Sequence, residues 1–149
     1  MAYEIEKKFL VKGEFINLAT KVIEIIQRYL VKEPDKTIRI RIAGEKGWLT
    51  IKNSAREGSF TRNEWEIPLN IEDARELMNI CLPGQIIKTR YLIPSGNHIF
   101  EVDVFHDRNE GLVIAEIELE SEDEPFEKPE WLGEEVTGQK EYYNSWLAK

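Results

Sequence analysis

The strongest constraint on how this chain folds is the one-sided placement of charge in its alternating segments. In Ile38-Arg39-Ile40-Arg41-Ile42 both arginines fall on one parity and the isoleucines on the other. Glu4, Glu6 and Lys8 oppose Ile5 and Phe9, while Thr50 and Lys52 oppose Leu49 and Ile51. Arg62, Glu64 and Glu66 share a parity, as do Lys88 and Arg90, and Glu101 and Asp103. In Val113 to Glu120 the glutamates Glu116, Glu118 and Glu120 oppose Val113, Ala115, Ile117 and Leu119. Successive side chains of a strand point to opposite faces, so each segment reads as a strand with one charged and one apolar face.

The strands are expected at Tyr3–Val11, Val22–Glu33, Thr37–Ala43, Trp48–Asn53, Ser59–Ile67, Gln85–Ile93, His98–Phe105 and Leu112–Ser121, separated by turn signals such as Pro94-Ser95-Gly96-Asn97. The second segment also suits a helix, and its β-branched residues favour a strand. A helix is expected after Asn70, with Ile71, Ala74, Leu77, Met78 and Cys81 as its apolar stripe and Pro83-Gly84 as its stop. Glu141 to Lys149 reads as a second helix, anchored by Tyr142 or Tyr143 and Trp146.

A charged face is ordinarily the wet side of a sheet. Here bases dominate some strands and acids others, and the apolar faces need a cover. A mainly β fold of the α+β type meets both conditions: a closed eight-stranded antiparallel barrel, charged inside, with helices packed outside. Burying such charge is costly unless it is paired. Arg39, Arg41, Lys52, Lys88 and Arg90 are donors suited to phosphate oxygens. Glu4, Glu6, Glu116 and Glu118 are hard oxygen donors suited to Mg²⁺ or Mn²⁺. A phosphate chain bridged by metal needs both sets.

The 149 residues are read as one domain, 1–149. A net charge of −8 speaks against a nucleic-acid polymer as partner, and no apolar run is long enough for a membrane helix. Cys81 is the only cysteine, which excludes an intrachain disulfide and fits a cytoplasmic protein. His98 and His106 lie at turn edges and are not read as ligands; Arg56 reads as a solvated loop charge.

Glu4-Ile5-Glu6-Lys7-Lys8 resembles the Glu-x-Glu-x-Lys signature of the CYTH superfamily, the triphosphate tunnel metalloenzymes. Tyr29, Arg39/Arg41, Lys52, Glu64/Glu66, Lys88-Thr89-Arg90, Asp103 and Glu116-Ile117-Glu118 follow in that family's order. Glu135-Val136-Thr137-Gly138 and Tyr142-Tyr143-Asn144-Ser145 are similar to the closing segment of its short bacterial members. The tail departs from the pattern at Gln139-Lys140, which weakens the expectation that it closes the tunnel. The resemblance implies that the second segment is a strand, that Tyr29 points inward, that Glu4, Glu6, Glu116 and Glu118 hold metal, and that Lys8 and Tyr29 together activate water. Glu64, Glu66 and Asp103 read either as partners that orient the bases or as further metal contacts.

Compact length and the Lys8/Tyr29 pair look most like inorganic tripolyphosphatases, so the expected activity is release of the terminal phosphate of tripolyphosphate. To act as a base, Lys8 needs a pKa far below its usual value of about 10.4. Cationic neighbours lower it and carboxylates raise it. The rival readings are a nucleoside or thiamine triphosphatase, a class IV-type adenylate cyclase, and a noncatalytic polyphosphate- or nucleotide-binding module. A homodimer is compatible with the sequence but not required by it.

Overall fold

A computed structural model describes residues 2–54 and 61–148, with the side chains of residues 2–4 and 61 outside that description. Nine strands and two α-helices follow in the order β1 (Ala2–Val11), β2 (Lys21–Glu33), β3 (Lys36–Ala43), β4 (Lys46–Ser54), β5 (Thr61–Leu69), α1 (Ile71–Met78), β6 (Ile86–Ser95), β7 (His98–Phe105), β8 (Val113–Leu119), β9 (Leu132–Glu135) and α2 (Asn144–Leu147). They form one antiparallel sheet in the order β5-β4-β3-β2-β6-β7-β8-β1-β9, and β5 also pairs with β1. The long first strand makes this possible: Ala2 to Ile5 pair with β5, Ile5 to Leu10 with β8, and Phe9 and Val11 with β9.

Register joins the charged parities of neighbouring strands into one face. Lys8 stands opposite Glu116, Glu6 opposite Glu118, Glu101 opposite Glu116, Arg90 opposite Asp103, and Lys52 opposite Glu64. A slip of one residue would turn every charge to the apolar side, so burial of the other face fixes the pairing.

That apolar face has two covers. On β6–β8 and β1, Phe9, Phe100, Val102 and Ile117 pack with Phe15, Trp131 and Leu132. The rings of Phe100 and Trp131 meet edge to face, 5.2 Å between centroids. On β2–β4, Ala74 and Met78 of α1 pack on Ile40, Leu30, Ile42 and Leu49. Asn70 caps this helix, its Oδ1 accepting the Asp73 N–H at 2.8 Å, as expected. The helix lies so close to β4 that a Cβ on Gly47 would stand 2.5 Å from the Ala74 Cβ.

Three expectations need correcting. The sheet has nine strands among the described residues rather than eight, because the short Leu132–Glu135 adds to β1 as β9. Helices do not supply the whole outer cover; α1 covers one part, and turns around Phe15, Phe126 and Trp131 cover the other. The second helix is only Asn144–Leu147, and it lies against the charged side. There the inner parity turns apolar: Ile86, Phe105 and Ile114 sit two residues from Lys88, Asp103 and Glu116, and pack with Tyr29 and Ala148. Leu147 and Tyr142 join that cluster, whereas Trp146 is half exposed and lies outside it. No described helix is long and apolar enough to cross a membrane.

Candidate active site

The charged face encloses a cavity of about 220 Å³ lined from all of β1–β8 and from the C-terminal segment. Among the described residues, seven cationic and six acidic side chains line it, and strand order separates them. Lys52, Arg39, Arg41, Lys88 and Arg90 come from β4, β3 and β6, which with β2 are consecutive in the sheet. Glu101, Glu116, Glu118 and Glu6 come from β7, β8 and β1, and Glu64 and Glu66 from β5, paired to β1. Lys8 and Arg62 are the cations on this acidic side.

The basic side is short of counter-charge. Asp103, fully buried behind the wall, accepts Arg90 Nε and Nη2 at 2.8 and 2.9 Å and lies 2.7 Å from Lys88 Nζ. Burial opposes its ionisation, but Arg90 and Lys88 outweigh that and hold it below the usual carboxylate range. Lys88 must share this carboxylate, and burial, reinforced by Arg90 and Arg41 and opposed by Asp103, pushes it down to about 7. Among the described residues no carboxylate accepts a hydrogen bond from Arg41; its Nε donates to Gln27 Oε1 at 2.9 Å. Burial, together with Arg39 and Arg90, lowers it to about 9. Arg39 Nε is buried without a hydrogen-bond partner among the described residues. An unmet buried donor costs about 1–3 kcal/mol, more when charged, so this side is built for an acceptor from outside the chain.

The acidic side is tied partly to its own Lys8 and partly across to the bases, Glu101 accepting Arg90 Nη1 at 3.2 Å. Lys8 Nζ donates to Glu116 Oε1 at 3.0 Å and lies 3.6 Å from Glu6. Burial alone would lower the Lys8 pKa; Glu116 and Glu6 outweigh it and hold the ammonium above its ordinary range. Glu116 stays far below the usual carboxylate range because Lys8, Arg90 and Lys88 overcome its burial. Lys52 stands 3.6 Å from Glu64. Among the described residues, no three acidic, His or Cys side chains form a ready metal cluster. The donor set, carboxylate oxygens only, nevertheless fits a hard divalent cation.

Residues 2–145 match the family model of the CYTH domain. The chain belongs to the CYTH family. An inorganic triphosphatase of Acetivibrio thermocellus is 42% identical over all of this chain and 95% of its own length. One from Nitrosomonas europaea is 36% identical, covering 97% of this chain and 96% of the relative. A crystal structure of an inorganic triphosphatase aligns with a TM-score of 0.69 at 32% identity, covering 97% of this chain and 96% of that one.

In this CYTH chain the cavity gathers most residues singled out from sequence: Glu6, Lys8, Tyr29, Arg39, Arg41, Lys52, Glu64, Glu66, Lys88, Arg90, Glu116 and Glu118. Glu4 belongs to β1, but its side chain lies outside the described residues, as does Arg56. Tyr29 also packs into the apolar end with Ile86 and Phe105. His106 Nε2 is 2.7 Å from Thr89 Oγ1, and His98 pairs with Glu124. Sequence reasoning left out Arg62 and Glu101, whose parity had already placed them on the charged faces. It also left out Thr37, and gave no site role beyond the family's closing segment to Tyr143, Asn144 and Ser145. The last three lie outside any strand, so alternation gave no signal for them.

Proposed function

We propose that this CYTH protein hydrolyses the terminal phosphoanhydride of inorganic tripolyphosphate with Mg²⁺ or Mn²⁺, inside a barrel closed by the β1–β5 pairing. One observation carries the proposal: the cavity is divided into a basic side, where the buried Arg39 Nε lacks a partner among the described residues, and an opposing side of carboxylates. A simple anion site needs only the first. The inorganic triphosphatase names of full-length relatives at 42% and 36% identity support the choice of substrate.

In this account Arg39, Arg41, Lys52, Lys88 and Arg90 bind phosphate oxygens, and Asp103 fixes Lys88 and Arg90 for that task. Glu64 and Glu66 flank the bases from β5. Glu4, Glu6, Glu116 and Glu118 would hold the divalent cation, which supplies charge neutralisation and polarisation of the terminal phosphoryl group. Lys8 and Tyr29 act on the attacking water. Flanked by Glu116 and Glu6, Lys8 enters as an ammonium that orients water and donates to developing charge. It becomes a base only where those carboxylates turn away from it, leaving burial and Arg62 to lower its pKa.

A second reading, hydrolysis of an organic triphosphate, has one observation in its favour. A neighbouring cavity of about 330 Å³ shares Thr37, Lys52, Arg62, Tyr143 and Ser145 with the first and adds the half-exposed Trp146. Phosphate release from tripolyphosphate, ATP and thiamine triphosphate, each with Mg²⁺, Mn²⁺ or chelator, separates the readings. Faster metal-dependent release from tripolyphosphate supports the first, and preference for an organic substrate supports the second. Tight binding without release from any of them would make the protein a binding module.

A further inference from the structure

The C-terminal segment enters the cavity as a fixed part of it. Lys32 Nζ donates to the Ala148 carbonyl at 2.5 Å and Asn109 Nδ2 to the Leu147 carbonyl at 3.1 Å. Ala148 is buried in the cluster of Tyr29, Ile86, Phe105 and Ile114. So anchored, the segment sets the Tyr143 ring 5.7 Å from Lys8 Nζ and 5.1 Å from the Arg62 guanidinium, and sends the Asn144 side chain among the bases. Asn144 Oδ1 accepts Lys88 Nζ at 2.8 Å and Gln27 Nε2 at 3.1 Å.

Lysine carries donors only, so Lys88 fixes which atom of the Asn144 amide faces it. Gln27, fully buried, gives its amide hydrogens to Asn144 and therefore turns its oxygen to Arg41 Nε, 2.9 Å away. Two cations thus lean on one neutral chain, Arg41 to Gln27 to Asn144 and Lys88 to Asn144. The neutrality has a consequence. A carboxylate at this place would hold the same cations and cancel their charge, as Asp103 does in part for Lys88 and Arg90. An amide oxygen orients them and leaves their charge for a polyanion.

We propose that Asn144 is a positioning residue of the phosphate site, holding Lys88 directly and Arg41 through Gln27 in the arrangement that receives substrate phosphates. The proposal rests on the triphosphate reading above and extends it to a residue outside the strands. Without Asn144, Lys88 keeps Asp103 and the Phe105 ring, 5.5 Å away, among the described residues, and is drawn toward that carboxylate, away from the cavity.

Steady-state hydrolysis and calorimetric binding of tripolyphosphate by the full chain test this, with melting temperature as a control. Asn144→Ala is expected to raise KM and Kd about tenfold while kcat stays within threefold. Asn144→Asp keeps the shape and places a negative charge beside Lys88, so it weakens binding more than Asn144→Ala. In a Lys88→Met background, Asn144→Ala should lose the share of its effect that runs through Lys88 and add clearly less than tenfold, the remainder running through Gln27 to Arg41. Three results would overturn the proposal: unchanged KM and Kd in Asn144→Ala, an Asn144→Asp that binds as wild type, or a full tenfold effect in the Lys88→Met background. The last would mean that Asn144 does not act through Lys88. If the Ala variant does not fold, the isosteric Asp variant decides. Wild-type protein that neither binds nor hydrolyses tripolyphosphate would refute the parent reading, and with it this one. An active wild type with unaffected Asn144 variants refutes this one alone.

Discussion

Among the described residues, the basic side of the cavity presents five cations and the acidic side six carboxylates with Lys8 and Arg62, and the two sides treat their charges differently. On the acidic side, Glu116 and Glu6 share Lys8. On the basic side, Lys88 and Arg90 divide Asp103, Arg41 rests on a neutral amide, and the buried Arg39 Nε lacks a partner among the described residues. Burial first, and the neighbouring cations after it, lower Lys88 to about 7 and Arg41 to about 9. A site for a highly charged ligand thus holds its repulsion on one side, where the ligand relieves it. On the other side Lys8, Arg90 and Lys88 overcome burial and keep Glu116 ionised, and in the proposed reading a cation exchanges there for Lys8.

Removing divalent metal tests the difference most severely. With chelator, phosphate release from tripolyphosphate should fall at least a hundredfold, and release that persists would take metal holding away from Glu6, Glu116 and Glu118. Next comes Asp103→Asn, which strips the basic side of its buried counter-charge. Breaking a buried ion pair costs about 3–5 kcal/mol, so denaturant unfolding should show a loss of that order. A variant as stable as wild type would mean that the basic side does not depend on Asp103.

Arg39→Ala should behave in the opposite way. Its Nε has no hydrogen bond to lose among the described residues, so stability should change little. A charged hydrogen bond to phosphate is worth about 1.5–3 kcal/mol, or roughly ten- to a hundredfold in KM. A large loss of stability with unchanged KM would assign Arg39 to the fold instead. The smallest effect is that of pH. Lys88 starts near 7 in the free protein, and a bound polyanion raises its pKa, so binding takes up a proton. Affinity from this group is therefore greatest below pH 7 and falls as pH rises from there toward the bound-state pKa, by less than about tenfold per unit for one proton. Calorimetry from pH 6 to 9 on wild type and Lys88→Met isolates this slope from the titration of the ligand; equal slopes would refute it.

Much of the site was legible because a strand exposes its chemistry every second residue. Arg39 and Arg41 between isoleucines, and Glu116 and Glu118 between Ala115, Ile117 and Leu119, announce an inner and an outer face. The division into a basic and an acidic side was not legible. It arises because β2 lies between β3 and β6, which brings Arg39 and Arg41 to the same side as Lys88 and Arg90 across nearly fifty residues of chain. The four-residue β9 escaped because it is too short to show alternation and contains Gly133. A Cβ on that glycine would meet the Leu10 carbonyl at 2.8 Å, so the residue that obscures the strand is what lets it approach β1. Asn144 escaped for another reason: its role depends on the carbonyls of Leu147 and Ala148 being held from β2 and the turn after β7, and no local pattern encodes that.

The most direct test of the central claim is an anomalous scattering map from crystals grown with Mn²⁺ and tripolyphosphate. The account predicts manganese bound by carboxylate oxygens of Glu6, Glu116 or Glu118, with phosphate oxygens bridging to Arg39, Arg41, Lys88 and Arg90. Manganese elsewhere, or a polyphosphate held by the basic side with no metal between it and the carboxylates, would contradict it.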